Sequence, residues 1–252
     1  MNRRRVVLFI ITLSLLLLIY YVADAHAAPT GTIQVSFINV GQGDSILIRD
    51  GNGFDVLIDG GKTSAGPTVV AYLRNQGVDD IEVMVASHAD SDHIGGLIDV
   101  LELDDIPVES VFYNGYPGDT TTWSNFVTAV TNEGLTLTSA QYPQSFIWGV
   151  SSVNILNPIS GLVNPEQNDA SVVILLDHGD IEFLFTGDIG ASVESDILDR
   201  GSSVVADILK VSHHGSKYAS SAGFLAEVQP EEAVISVAVS YTHLTLPTTP
   251  YV

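Results

Sequence analysis

Between Thr32 and Val237, short runs rich in β-branched and apolar residues alternate with segments of helix-like spacing, the pattern of an α/β sandwich. The spacing predicts strands over Ile33–Asn39, Ser45–Arg49, Asp55–Ile58, Glu82–Ser87, Val108–Tyr113, Ser152–Leu156, Ser171–Asp177, Ile181–Thr186, Ala206–Val211 and Glu232–Val237. It predicts helices over Gly66–Asn75, Gly95–Leu103, Thr122–Asn132, Ala191–Arg200 and Ala219–Glu227, with apolar faces such as Val69, Val70 and Leu73 turned to the core. Asn52-Gly53 and His178-Gly179-Asp180 are tight-turn signals between strands. No repeat or linker breaks the body, so residues 29–238 read as one domain.

The two ends follow other patterns. Arg3, Arg4 and Arg5 precede Val6–Val22, a run of 17 residues without a charge, and Ala25-His26-Ala27 fits a signal-cleavage site. As a helix the run spans roughly 26 Å, against about 30 Å for a bilayer core. Residues 1–28 therefore read as a signal peptide or an N-terminal membrane anchor. Either way the body is expected outside the cytoplasm, secreted or anchored to the membrane, because the arginines stay inside. The last residues, 239–252, have neither helical period nor core spacing and resemble the translation of a transposase-type sequencing adapter. On that reading the tail is not native, the domain is cut short near Ala238, and His243 carries no function.

Composition narrows the chemistry. The chain has 252 residues, 46% hydrophobic and 15% charged, which excludes a disordered chain or a coiled coil. Its formal net charge is −21. Residues 1–28 hold three arginines and one aspartate, so the rest keeps six cations against 29 acids, a balance of −23. Such a body has no basic footprint for nucleic acid and repels a long polyanion at low salt. Cysteine is absent, which excludes disulfides, thiolate metal sites and a cysteine nucleophile.

The sharpest feature is His88-Ala-Asp90-Ser-Asp92-His93-Ile-Gly95-Gly96, directly after a predicted strand. Four potential ligands in six positions crowd negative charge and imidazole lone pairs together, an arrangement that a cation relieves. Imidazole suits a transition metal and the carboxylates harden the site. The competing reading is an acidic loop in which Asp90 caps a helix. Two more strand ends carry ligand types: Thr186-Gly187-Asp188, and Lys210-Val-Ser-His213-His214-Gly215-Ser216.

Together with Phe37-Ile-Asn-Val-Gly41-Gln42-Gly43-Asp44-Ser45, Leu57-Ile-Asp59-Gly60-Gly61 and Asn168-Asp169-Ala-Ser171, these motifs resemble the metallo-β-lactamase superfamily. Specifically, they look like the β-lactamase-like domain of ComEC competence proteins and its stand-alone relatives. The resemblance covers roughly residues 32–238 and implies a four-layered αβ/βα sandwich with two divalent ions, Mn or Zn with Mg as a third candidate, along one edge. It implies that His88 and Asp90 serve the first ion, Asp92 and His93 the second, that Asp188 bridges, and that His214 (with His213 the lesser candidate) completes the second. Asp90 stands where the commoner superfamily pattern has a histidine, and Asn168-Asp169 where it has another. Exchanging nitrogen for oxygen shifts preference from Zn²⁺ toward Mn²⁺ or Mg²⁺. Asp44 and Asp59 read either as turn residues or as groups that orient ligating histidines. Family members continue past Ile235-Ser236-Val237, where the tail intervenes here.

The implied activity is hydrolysis of a phosphodiester, single-stranded DNA among the candidates, by a metal-bridging hydroxide, with Lys210 and His213 contacting the phosphate or protonating the leaving oxygen. The alternatives are an exported hydrolase of small esters or lactones, which suits the acidic surface, and a non-catalytic accessory module for DNA uptake. Asn114-Gly-Tyr116 and Trp123 read as packing residues beside a groove.

Overall fold

A computed structural model describes residues 31–238 of the chain. The expected leader, residues 1–28, and the adapter-like tail, residues 239–252, lie outside the described residues. Among the described residues no helix is long and apolar enough to cross a membrane.

Two six-stranded sheets form the centre. The first holds, in order, β1 (Ile33–Phe37), β2 (Ile46–Asp50), β3 (Asp55–Ile58), β4 (Val83–Ala86), β5 (Val111–Tyr113) and β6 (Leu137–Ser139). The second runs from β12 (Glu232–Val234) through β11 (Ile208–Lys210), β10 (Glu182–Phe185) and β9 (Val173–Asp177) to β8 (Ser151–Asn157) and β7 (Ser145–Trp148). Strand side chains alternate between faces, which divides the core into three. Ile46, Ile48, Val56, Ile58, Val83 and Val85 meet Val153, Ile155, Ile174, Phe183 and Phe185 between the sheets.

The residues between those on the first sheet, Leu47, Leu57 and Met84, face outward and pack under helices. These are α1 (Gly66–Gln76), α2 (Ser91–Ile94), α3 (Leu97–Leu101) and α4 (Thr121–Asn132). On the second sheet, Val173, Leu175 and Leu184 pack against Val193 and Ile197 of α5 (Ala191–Asp199) and Phe224 and Val228 of α6 (Ala222–Val228). The layers are helix, sheet, sheet, helix: the expected αβ/βα sandwich.

Local signals set the helix boundaries. Gly77 at φ 70° ends α1, and Thr120 caps α4 by accepting from the Trp123 N–H at 3.1 Å. Two expectations change. The helix expected over Gly95–Leu103 is confined to α3, with α2 a separate short helix before it; Gly96, between the two, lies so close to Gly60 that a Cβ there would stand 2.0 Å from the Gly60 carbonyl oxygen. Strands β6 and β7 were absent from the sequence reading. The expected turn at His178 joins β9 to β10, and His178 is buried there, with its Nδ1 2.8 Å from Ser151 Oγ.

Pairing explains where the site lies. β3 and β4 run parallel, as do β10 and β11, so the loops leaving their carboxyl ends emerge side by side. Asp59 follows β3, Ser87 and His88 follow β4, Asp188 follows β10, and His213 and His214 follow β11.

Candidate metal centre

Three histidines from two segments converge here: His88 and, on α2, His93, both after β4, and His214 on a tight turn over Ser212–Gly215. The ring centroids of His88 and His93 are 4.1 Å apart, and those of His93 and His214 5.4 Å. Each ring is held through Nδ1. His214 Nδ1 is 2.8 Å from the Ser236 carbonyl oxygen and His93 Nδ1 is 2.8 Å from Asp59 Oδ2. Carbonyl and carboxylate only accept, so both Nδ1 atoms carry the hydrogen. Ser87 spends its hydroxyl proton on Asp59 Oδ2 at 2.6 Å, so its oxygen accepts from His88 Nδ1 at 3.0 Å. All three rings therefore turn Nε2 outward with a free lone pair when neutral.

Those three Nε2 atoms are buried and make no hydrogen bond. They surround the carboxylate of Asp188, whose Oδ2 is 3.3 Å from His93 Nε2 and 3.2 Å from His214 Nε2. His88, His93 and Asp188 bring one ligand atom each within 4.8 Å of one another, and so do Asp92, His93 and His214. Buried lone pairs aimed at a carboxylate call for a cation. The charges agree. Burial alone would lower the His93 pKa, but Asp188 and Asp59 outweigh it and raise it well above the ordinary value. Burial would raise Asp188, yet His93, His214 and Lys210 hold it far below the carboxylate range. A metal ion would take the place of the proton that His93 otherwise attracts.

The geometry around Asp90 bears on the choice between ligand and helix cap. It occupies the position preceding α2 with extended backbone, φ −72° and ψ 144°, but its side chain makes no capping bond. Oδ2 instead lies 3.6 Å from His88 Nε2, and that contact, against partial burial, lowers its pKa. Asp92 Oδ2 is 3.9 Å from His214 Nε2. Asp90, Asp92, Asn168, Asp188, His213 and His214 all line one open cavity of about 500 Å³.

Asp44 and Lys210 lie beneath this group. Lys210 is 1% exposed, and its ammonium contacts Asp44 Oδ2, donates to the Gly187 carbonyl at 2.8 Å and stands 3.5 Å from Asp188 Oδ1. Burial opposes the charge, but Asp44 and Asp188 raise the Lys210 pKa. The expectation that Lys210 contacts a scissile phosphate is corrected by this burial: its charge is spent inside. Asp59 is equally buried. Burial opposes its charge, but His93 outweighs burial and keeps its pKa low.

Sequence reading missed Ser87 and Ser236, which orient His88 and His214. It also missed the side-chain role of Gln42, whose Oε1 is buried without a partner while the residue lines the cavity. Ser87 sits directly before a candidate ligand, which is a usable signal; a supporting backbone carbonyl leaves none.

The sequence matches the family model of the metallo-beta-lactamase superfamily over residues 38–239. The chain belongs to that superfamily. It is 33% identical over 224 residues to competence protein ComA of Neisseria gonorrhoeae, covering 87% of this chain and 29% of that protein. It is 26% identical over 224 residues to ComE operon protein 3 of Bacillus subtilis, covering 81% of this chain and 28% of that protein. The chain thus spans less than a third of these curated relatives, and the competence-type resemblance read from the motifs holds. Among solved structures, the metallo-beta-lactamase fold protein YhfI from Bacillus subtilis is similar with TM-score 0.54 at 15% identity, covering 85% of this chain and 89% of that one. That likeness is one of fold. The orphaned Nε2 atoms and the surrounding carboxylates fit the divalent metals such as zinc that this superfamily binds.

Proposed function

We propose that the chain is a metal-dependent hydrolase of phosphodiesters, with DNA strands among its substrates, acting outside the cytoplasm. The observation that carries this reading is the set of three buried, unpartnered Nε2 atoms around Asp188 at the wall of an open cavity. His88 and Asp90 would hold one divalent ion, and Asp92, His93 and His214 a second, with Asp188 within reach of both. Bound divalent ions lower the pKa of water and offset the charge on a phosphate. The oxygen-rich share of the donors favours Mn²⁺ alongside Zn²⁺.

The chain's own residues supply the rest. Asp59 and Ser236 hold the rings in one tautomer, and Lys210 steadies Asp44 and Asp188 from below. His213 lines the cavity beside His214, where it can give a proton to a leaving oxygen. Purified protein should bind divalent metal and cut single-stranded DNA or bis(p-nitrophenyl) phosphate with Mn²⁺. Metal bound with neither substrate cut would reject the reading. A second reading, a hydrolase of small esters or lactones, is favoured by the net charge of −21. Ester and lactone substrates tested on the same preparation separate the two, and an intact fold without bound metal would favour a non-catalytic DNA-uptake module.

A further inference from the structure

We propose that Tyr218 and Lys217 form a nucleoside-phosphate subsite at the mouth of the cavity, in which a base stacks on Tyr218 while Lys217 meets a phosphate. The inference rests on the phosphodiesterase reading and names its substrate class: a short nucleotide or the end of a strand.

Both residues line the cavity that holds Asp90, Asp92 and Asp188. Tyr218 is 70% exposed, and Lys217 Nζ stands 4.9 Å from the centre of its ring. The loop carrying them is anchored through its backbone. The Ala191 N–H donates to the Tyr218 carbonyl at 2.9 Å, and the Ala219 N–H donates to the Ser216 carbonyl at 3.1 Å. Beneath it Glu194, fully buried on α5, accepts from the N–H groups of Ser220 and Ser221, the latter at 2.8 Å. Ser221 in turn caps α6 by accepting from the Phe224 N–H. A buried carboxylate is thus committed to fixing a surface loop whose largest side chain is left facing solvent. A ring carried on backbone anchored this way offers a stacking face with less of the chain left to order on binding.

Charge limits the ligand. Of the six cations outside the leader, Arg49 is bound to Asp55, Arg74 to Asp105, and Lys210 is buried on Asp44. Among the described residues Lys217 is the single lysine or arginine lining the cavity. One cation serves one phosphate well, whereas a long polyanion would continue over an acidic surface that repels it. The cavity, about 500 Å³, falls in the range of roughly 300–1,000 Å³ found for small-ligand sites.

The test compares Mn²⁺-loaded parent, Tyr218→Ala, Tyr218→Phe and Lys217→Gln on two chromogenic diesters, thymidine 5′-(p-nitrophenyl phosphate) and methyl p-nitrophenyl phosphate. Equilibrium titrations with thymidine 5′-monophosphate and inorganic phosphate accompany it. Tyr218→Ala should raise KM for the thymidine diester about tenfold, as loss of one base–aromatic stack implies. It should leave kcat and the methyl diester unchanged. Tyr218→Phe should behave as the parent, and Lys217→Gln should raise KM for both diesters. The parent should bind the nucleotide more tightly than phosphate, and Tyr218→Ala should abolish that difference. Equal affinity of the parent for nucleotide and phosphate, an equal effect of Tyr218→Ala on both diesters, or no effect of Lys217→Gln overturns the subsite. Failure of the hydrolase reading looks different: nucleotide binding that depends on Tyr218 with no turnover of either diester.

Discussion

The carboxylate of Asp59 receives His93 Nδ1 at 2.8 Å and, on the same oxygen, the hydroxyl of Ser87 at 2.6 Å. Ser87 then accepts from His88, so one acid at the end of β3 orients two candidate ligand rings on the segment that follows β4. Asp59→Asn keeps the shape but presents an amide to donors that need an acceptor. Metal affinity should fall about 10- to 100-fold with every ligand intact. Titration against a competing chelator measures it, and an unchanged affinity would mean that Asp59 does not orient the site.

Asp44 and Asp188 should separate metal binding from stability. Asp188 is surrounded by His93, His214 and Lys210, so Asp188→Ala should cost most of the bound metal. Asp44→Ala leaves the buried Lys210 ammonium without its nearest carboxylate, which should cost about 3–5 kcal/mol of stability. Adding Lys210→Met to Asp44→Ala should recover part of that loss. Denaturant unfolding and metal analysis of the same variants give both rankings, and equal metal loss in the two single variants would contradict the assignment.

The loop over Gly41–Asp44 supplies a contrast between two glycines. Gly41, at φ 78°, has open space where a Cβ would stand; Gly43, at φ 118°, would place one 2.0 Å from the carbonyl oxygen of Asp92. Gly41→Ala should cost about 1–2 kcal/mol, from backbone conformation alone. Gly43→Ala should cost more and weaken metal binding, because relief of the clash moves the helix carrying Asp92 and His93. Thermal unfolding with and without metal compares them. Similar losses in both would show that the loop does not press on α2.

Much of this was legible in the chain, for physical reasons. Ile46–Ile48, Val56–Ile58 and Val83–Val85 are buried on both faces and read as unbroken apolar strands. Leu137–Ser139 and Ser145–Trp148 did not stand out, since they are short and half exposed, and β6 and β7 each sit at a sheet edge. His88, Asp90, Asp92 and His93 declared themselves by density, a local property. The ion pair of Asp44 with Lys210 joins residues 166 positions apart, one in the loop before β2 and one at the end of β11 in the other sheet, and no local spacing encodes it. The burial that makes Lys210 internal follows from the same packing, which is why its charge looked available in the sequence.

Asp90 is the residue whose role the sequence left open between metal ligand and helix cap. Asp90→His exchanges a charged oxygen donor for a neutral nitrogen beside His88. Affinity for Zn²⁺ should hold or rise, while affinity for Mn²⁺ and Mg²⁺ should fall, because both favour carboxylate oxygens. Stability of the metal-free protein bears on the competing role. A capping aspartate is worth about 1 kcal/mol, but the Asp90 side chain makes no capping bond to α2. The substitution should therefore leave metal-free unfolding within about 0.5 kcal/mol of the parent, as is usual away from such features. Competitive Mn²⁺/Zn²⁺ titration paired with denaturant unfolding reads both quantities. An unchanged metal ratio together with a loss near 1 kcal/mol would return Asp90 to the role of a helix cap and remove it from the metal site.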